Sequence, residues 1–377
     1  VKIGLLVPGG VDRSGEFRVI PCLLWLIERL AAGHEVHVFS FFQYREKTRY
    51  ELLGANVLNI GRPFPRSRMV AAVGAEHCRK PFDVLHAFWA VPAGVVGSAA
   101  SRLWNIPLVV HVTGGDLASV PEIGYGLVRT RRGRMALRWA VSGAACVTVP
   151  SEFMQRLASD RGIEASRLPL GVALDRWPPR PPRRREPGAP ARLIHVGSLN
   201  TVKGQSMLLE VTRVLRDDGI RFHLDIVGPD TLDGRVQRLA AELGVSGHVT
   251  FHGFVPNLKL RDLVEAADLL LITSYHEADP VVLLEAAAAG VPAVSTMVGH
   301  SADWSPDAAV VVDGREPAVF AANVAALLAD EERRRSIAAK AQARAVAEDA
   351  DWTFRALEEL YRTVARGSPR SRARGNA

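Results

Sequence analysis

Short apolar runs, each closed by a glycine-bearing turn and followed by a longer stretch with apolar side chains at helical spacing, recur along the whole chain. The first run, Val1-Lys2-Ile3-Gly4-Leu5-Leu6-Val7, leads into Pro8-Gly9-Gly10. Residues 17–32 then carry apolar positions at a helical period, and Gly33 precedes a second run, His34-Glu35-Val36-His37-Val38-Phe39. A few consecutive apolar residues bounded by glycine or proline predict a strand covered on both faces, and a glycine just past a periodic stretch predicts a helix end. This is a β-α-β unit. Asp83-Val84-Leu85-His86-Ala87, Pro107-Leu108-Val109-Val110-His111-Val112 and Ala145-Cys146-Val147-Thr148-Val149 continue the series, and one parallel sheet can hold them all.

Residues 178–190 interrupt the pattern with six prolines, four arginines and a glycine, a composition that favours extended chain and cannot build a core. Arg192-Leu193-Ile194-His195-Val196-Gly197 then restarts it, and strands are expected near 222–227, 249–251, 269–273 and 293–295. A charged helix is predicted over 331–347. A last one, over 352–364, places Trp352, Leu357, Leu360, Tyr361 and Val364 on one side. The expected fold class is therefore α/β, with two domains of similar pattern, each on a parallel sheet. Domain boundaries are read at 1–177 and 192–350 around a Pro/Arg-rich linker, 178–191. A terminal helix, 351–365, and a basic tail, 366–377, expected to be disordered, complete the chain.

Length agrees, since 377 residues exceed one ordinary core. Cys22, Cys78 and Cys146 are too far apart for a disulfide framework or a zinc cluster, which fits a reducing compartment. The opening lacks the pattern of a signal peptide, and Glu285, Gly290 and Pro292 break the most apolar stretch, so a cytoplasmic location is expected. The net charge of +7 is clustered in residues 129–134, at Arg183-Arg184-Arg185 and in the tail. Solvated surface is the first reading of these clusters. The second is attraction to anionic lipid at the inner membrane face or to a phosphorylated ligand; nucleic acid is not expected as a partner, for lack of an aromatic motif. Asp349-Ala350-Asp351 reads as a helix cap, and no metal is assigned.

Two segments carry candidate chemistry. His195-Val196-Gly197-Ser198-Leu199-Asn200-Thr201-Val202-Lys203-Gly204 forms a strand, a turn and a helix start, placing Lys203 where backbone N–H groups also favour anions. Ser274-Tyr275-His276-Glu277-Ala278-Asp279-Pro280 follows an apolar strand and opens a helix, with Asp279 as its expected cap, Pro280 at its first position and Glu285 farther along. Gly290 and Pro292 end that helix. Glu277 thus lies on a strand-to-helix loop, where open parallel sheets bind ligands.

In this order and spacing, these segments resemble the retaining nucleotide-sugar glycosyltransferases of family four. The resemblance also includes Ala32-Gly33-His34-Glu35-Val36, Thr113-Gly114-Gly115-Asp116, Pro169-Leu170-Gly171-Val172 and His252-Gly253-Phe254-Val255. It implies the GT-B architecture: two facing Rossmann-like domains, an interdomain cleft, the acceptor on the first domain and the last helix returning to it. Lys203, with Gly197 and Ser198, would meet the donor diphosphate, which Gly9 and Gly10 would also approach. Glu285 would hold the ribose hydroxyls, and Gly253, Phe254 and Val255 would lie near the base. Glu277, Ala278, Asp279, Pro280 and Val281 would hold the sugar. The acceptor would be a carbohydrate, a lipid-linked molecule or a small molecule, with no cofactor beyond the donor substrate. Similar enzymes are usually assigned a front-face mechanism; double displacement through Glu277 stays open beside it.

Departures from the family pattern are specific. Ser198 stands where an arginine is frequent, and Ala278-Asp279-Pro280 replaces Gly-Phe-Gly, adding a charge and removing one N–H. Thr113 stands where many members have histidine; His111, two residues earlier on the same strand face, is the candidate in its place. A nucleotide-sugar epimerase or hydrolase on the same fold, and a non-catalytic nucleotide-sugar-binding protein, are the alternatives.

Overall fold

The computed structural model describes residues 1–63 and 65–366. The first part of the chain runs β1 (Lys2–Val7), α1 (Pro21–Gly33), β2 (Glu35–Ser40), β3 (Thr48–Leu52), β4 (Ala55–Asn59), α2 (Pro65–Arg79) and β5 (Val84–Phe88). It continues through α3 (Val95–Trp104), β6 (Leu108–His111), α4 (Arg131–Ser142), β7 (Cys146–Val149), α5 (Glu152–Ser159) and β8 (Ser166–Arg167). The second part comprises β9 (Ala191–Val196), α6 (Gln205–Asp217), β10 (Phe222–Val227), α7 (Arg235–Glu242), β11 (Val249–Gly253), α8 (Asn257–Ala266) and β12 (Leu269–Ile272). After these come α9 (Val281–Ala288), β13 (Ala293–Thr296), α10 (Gly299–Trp304), β14 (Val310–Val312), α11 (Pro317–Ala329) and α12 (Glu331–Ala347). The last helix is α13 (Ala350–Arg366). By packing, unit 1 is Val1–Gly171 together with the segment from Ala350, and unit 2 is Val172–Asp349. The basic tail beyond Arg366 lies outside the described residues.

Unit 1 has an eight-stranded sheet in the order β3-β4-β2-β1-β5-β6-β7-β8. Its strands are parallel except β3, which forms an antiparallel hairpin with β4 at the edge. That hairpin is absent from the periodicity reading. Its local signal is Leu53-Gly54, both at positive φ (52° and 78°), a two-residue turn whose twist matches the flanking strands. The central strands β1 and β5 are buried along their whole length, as continuous apolar runs require.

Helix α13 packs on unit 1 against α1 and β5. It buries Ala350, Thr353, Leu357, Tyr361 and Val364, one stripe at helical spacing, whereas Trp352 and Leu360 are half-buried. Polar contacts set its register. Thr353 Oγ1 accepts from Gly171 N at 2.9 Å and donates to Pro169 O at 2.8 Å, and Tyr361 OH lies 2.6 Å from His86 Nδ1. Burial, reinforced by His111 nearby, drives the His86 pKa far down, so the imidazole stays neutral beside the tyrosine.

Unit 2 has a six-stranded parallel sheet ordered β11-β10-β9-β12-β13-β14, around a core that includes Leu193, Leu208, Leu224, Leu269, Val294 and Phe320. The proline- and arginine-rich stretch belongs to this unit. Arg183 bonds Asp268 Oδ1 at 2.7 Å, and the buried Arg334 reaches Arg183 O at 2.6 Å and Glu331 at 2.8 Å. A segment unable to form a core is thus tied to one through its arginines.

Leu357 is fully buried. Leu357→Ala should destabilise unit 1 by about 2–5 kcal/mol in chemical denaturation, and Leu360→Ala by clearly less; equal losses would contradict the stripe described here.

Candidate functional site in unit 2

Strand order places the site. β9 and β12 are neighbours, but the chain leaves β9 towards β10 on one side and leaves β12 towards β13 on the other. At such a switch point the loops beyond the carboxyl ends part and leave a crevice. The loop after β9 carries Gly197, Ser198 and Lys203; the loop after β12 carries Ser274 to Pro280.

Each loop is held from behind. Asn200 Oδ1 accepts from Lys203 N at 3.1 Å, capping a short turn over Thr201–Lys203, and Thr273 Oγ1 donates to Lys203 O at 3.1 Å. Gly204 has φ +67°, and a Cβ there would stand 2.2 Å from Thr273 O, so only glycine lets the two loops approach. The Lys203 stem lies across Gly197, where a Cβ would meet Lys203 Cε at 3.1 Å. Arg315 donates to Thr273 O and Ser274 O at 3.1 and 3.2 Å and stacks 3.5 Å from the Tyr275 ring centroid.

Lys203 Nζ donates to Glu277 Oε1 at 2.6 Å, and Ser274 Oγ donates to the same oxygen at 2.7 Å. Burial pushes the Glu277 pKa up, but the Lys203 charge and these two hydrogen bonds outweigh it and bring the pKa below the ordinary value. Glu277 is therefore a carboxylate.

Glu285 lies in α9 and is 3 % exposed. Its Oε1 accepts from Asn257 Nδ2 at 3.3 Å, and Asn257 Oδ1 accepts from Trp177 Nε1 at 3.1 Å. Burial raises the Glu285 pKa to about 7, with only the Asn257 contact opposing it. Of the other expected donor residues, Gly253 has φ +65° with no atom near its Cβ position, Phe254 is exposed, and Val255 and Val281 are half-buried.

Asp279 is not the helix cap the sequence suggests. Pro280 occupies the cap position of α9, which has no side-chain cap. The Asp279 carboxylate turns instead to His300 Nε2, 3.3 Å away, and both side chains are enclosed. Gly299 (φ +45°) explains this: a Cβ there would lie 3.0 Å from Ala278 O and 2.9 Å from Pro280 Cδ, so the start of α10 presses directly on the loop.

Gly9, Gly10 and His111 belong to unit 1. His111 is fully buried, with Nδ1 3.0 Å from Thr148 Oγ1 and its ring against Phe88, and packing within the unit accounts for it. Glu35, His37 and Glu76 of unit 1 bring three potential metal-ligating atoms together. Lys2 Nζ lies 2.7 Å from Glu76, however, and Lys80 pairs with Glu35, so cations already neutralise that cluster. Of the residues singled out from the sequence, Lys203 and Glu277 meet, and Glu285 lies buried in α9 against Asn257. Sequence reasoning assigned no role to Ser274, although the residue lies in the quoted segment, and it missed Asn257, Trp177, His300 and Arg315, whose local sequence has no feature pointing to the site.

Two Rossmann-like units, each built on a largely parallel sheet, are the architecture of the GT-B class of glycosyltransferases. A model of the family described as Glycosyl transferases group 1 matches residues 180–344, and one described as Glycosyl transferase 4-like domain matches residues 19–171. A D-inositol 3-phosphate glycosyltransferase of Geodermatophilus obscurus is 31% identical over 315 residues, 77% of this chain and 68% of the relative. One from Acidothermus cellulolyticus is 30% identical over 365 residues, 86% and 80% of the two chains. The chain belongs to the glycosyl transferases group 1 family. Among solved structures, sucrose-phosphate synthase from Thermosynechococcus elongatus superposes with TM-score 0.84 at 18% identity, covering 98% of this chain and 100% of its own. HepE of Anabaena, solved with UDP-glucose, superposes with TM-score 0.74 at 20% identity, covering 96% and 99%.

The raised pKa of Glu285 has a stability consequence. A carboxyl that binds its proton more tightly folded than unfolded stabilises the fold below its ordinary pKa, near 4.5, and that contribution is lost as pH rises through about 7. Glu285→Gln should therefore gain on the parent protein between those values, by on the order of 3 kcal/mol at the upper end. Parallel stability curves against pH would refute the assignment.

Proposed function

We propose that the protein transfers a hexose from a nucleotide diphosphate sugar to an acceptor hydroxyl, with retention of configuration and without a metal. The Lys203–Glu277 pair at the β9/β12 switch point carries this reading. As the glycosidic bond breaks, negative charge gathers on the departing diphosphate, and a cation already in place stabilises that state more than the ground state. Lys203 supplies the cation and Glu277 holds it on station, which leaves no role that requires a metal. Ser198 contributes its backbone and hydroxyl where a second cation would otherwise stand.

Glu285, oriented through Asn257 and Trp177, accepts hydrogen bonds from the ribose hydroxyls. Phe254, with Gly253 and Val255, offers an apolar face to the base, and the chain from Ala278 through Asp279 and Pro280 to Val281 lies along the sugar. Because Glu277 Oε1 already accepts from Lys203 and Ser274, we assign Glu277 to orientation of the sugar and the acceptor proton to the leaving phosphate oxygen. The acceptor is a carbohydrate, a lipid-linked molecule or a small molecule.

The reading places the protein in the cytoplasm, touching the inner membrane face. Supporting that contact, α4 exposes Arg131, Arg132, Arg134 and Arg138 beside Met135 and Trp139. Among the described residues no helix is long and apolar enough to cross a membrane.

Thermal stabilisation by a panel of nucleotide sugars tests the donor class, because a ligand that binds only the folded state raises apparent stability. Above pH 7, where Glu285 is ionised, Glu285→Gln should weaken nucleotide binding about tenfold or more through loss of a charged acceptor. Glu277→Gln should leave binding nearly intact and slow transfer by at least about a hundredfold. The reverse pattern would overturn these roles; release of free sugar or an epimer, with no transfer to any acceptor, would favour the hydrolase or epimerase alternative.

A further inference from the structure

A second cluster of positive charge lies in unit 1, at the carboxyl ends of β4, β2 and β1, three adjacent parallel strands. Arg18 is on the loop after β1, Arg45 on the loop after β2 and Arg62 on the loop after β4. All three line one cavity of about 790 Å³, with Phe42 and Tyr44 as apolar surface. Carboxyl-end loops of a parallel sheet are where such folds bind ligands, and a volume of several hundred Å³ suits a small molecule or a headgroup.

The loops are built to hold this arrangement. Gln43, 2 % exposed, accepts from Gly10 N at 2.8 Å and Val11 N at 3.0 Å through Oε1, and its backbone carbonyl accepts from the Arg18 guanidinium. The fully buried Asn59 donates to Tyr44 O at 3.0 Å. Arg62 N donates to Arg45 O at 2.9 Å, and Gly61 at φ +66° permits that contact, since a Cβ there would stand 2.5 Å from Arg45 O. The loop backbones are thus ordered while the guanidinium groups of Arg45 and Arg62 remain uncommitted: among the described residues neither makes a side-chain hydrogen bond or ion pair. Glu46 also lines the cavity, yet it forms no ion pair with any of the three arginines.

We infer that this cavity binds a phosphate group carried by the acceptor. Two uncommitted guanidinium groups beside a third suit the forked, bidentate recognition of phosphate oxygens. The inference rests on the transfer reading above for the word acceptor, but the site itself is independent of the donor residues. A phosphate of this kind can belong to a soluble sugar phosphate or to a lipid headgroup.

The test uses the full chain carrying Lys203→Ala, which removes the donor-site cation, and titrates it with glucose 6-phosphate, with glucose, and with phosphatidylcholine vesicles containing phosphatidylinositol. Binding of glucose 6-phosphate but not glucose supports a soluble acceptor, and binding of the doped vesicles alone, retained when Arg131→Gln, Arg132→Gln and Arg138→Gln remove the exposed charge of α4, supports a lipid-borne one. In either case, adding Arg45→Gln and Arg62→Gln, both at exposed positions, should lower affinity at least about tenfold, and the corresponding lysine variants should lower it less. Binding of neither probe, or binding undiminished by the Arg45 and Arg62 glutamine variants, overturns the inference. With Lys203 intact, stabilisation by nucleotide sugars should be unchanged in those two variants. If nucleotide sugars fail to stabilise even the parent protein, the transfer reading falls, while the phosphate measurement stands by itself.

Discussion

Lys203 and Glu277 are seventy-four residues apart, yet their charged groups meet at 2.6 Å because β9 and β12 lie side by side. Much of the candidate site depends on that adjacency. A half-buried ammonium without a partner carries a desolvation cost of several kcal/mol, as does a half-buried carboxylate. The pair offsets both costs while keeping a positive charge at the mouth of the sheet. Thr273, one residue beyond β12, accepts the close approach of Gly204 and donates to Lys203 O, so the same strand contact that brings the charges together also fixes the lysine backbone.

Around this pair, α9 and its preceding loop hold polar groups under conditions a stable core would avoid. Glu285 is buried with one amide contact and a pKa raised to about 7; Asp279 and His300 face each other without solvent. Low local polarity strengthens every charge interaction, which favours recognition of a charged, hydroxyl-rich ligand and disfavours the unliganded fold. Asp279 stands where the family pattern has an apolar residue, and His300 is the group that makes this tolerable. The Asp279 side chain is directed into unit 2, towards His300 of α10.

Unit 1 handles polar groups differently. Gln43 and Asn59 spend their buried amides on neighbouring loop backbones, Thr353 of α13 does the same at Pro169 and Gly171, and Tyr361 meets the His86 side chain of β5. These contacts satisfy buried groups and set geometry, leaving arginines at the carboxyl edge of the sheet available. One α/β plan, used twice in the chain, thus supports an ion-paired lysine in one unit and uncommitted guanidinium groups in the other.

Much was legible along the chain. Apolar runs and helical periods mark most strands and helices because burial on a strand or helix imposes a repeat of two or about 3.6 residues within a short window. Gly197, Lys203, Gly204, Glu277, Gly290 and Pro292 could be assigned to turns and helix ends because glycine and proline act on the backbone locally. Other features could not be read this way. The β3–β4 hairpin is short and polar on one face, the turn of Asp279 towards His300 depends on Gly299 twenty residues on, and the enclosure of His111 depends on β5 and β7. The convergence of Arg18, Arg45 and Arg62 depends on strand order. Local chemistry determined which segments are strands, helices and turns, and which loops carry charge. Only the tertiary structure decided which loops meet, because strand adjacency is selected by packing among segments tens of residues apart, and no short window of sequence contains both partners.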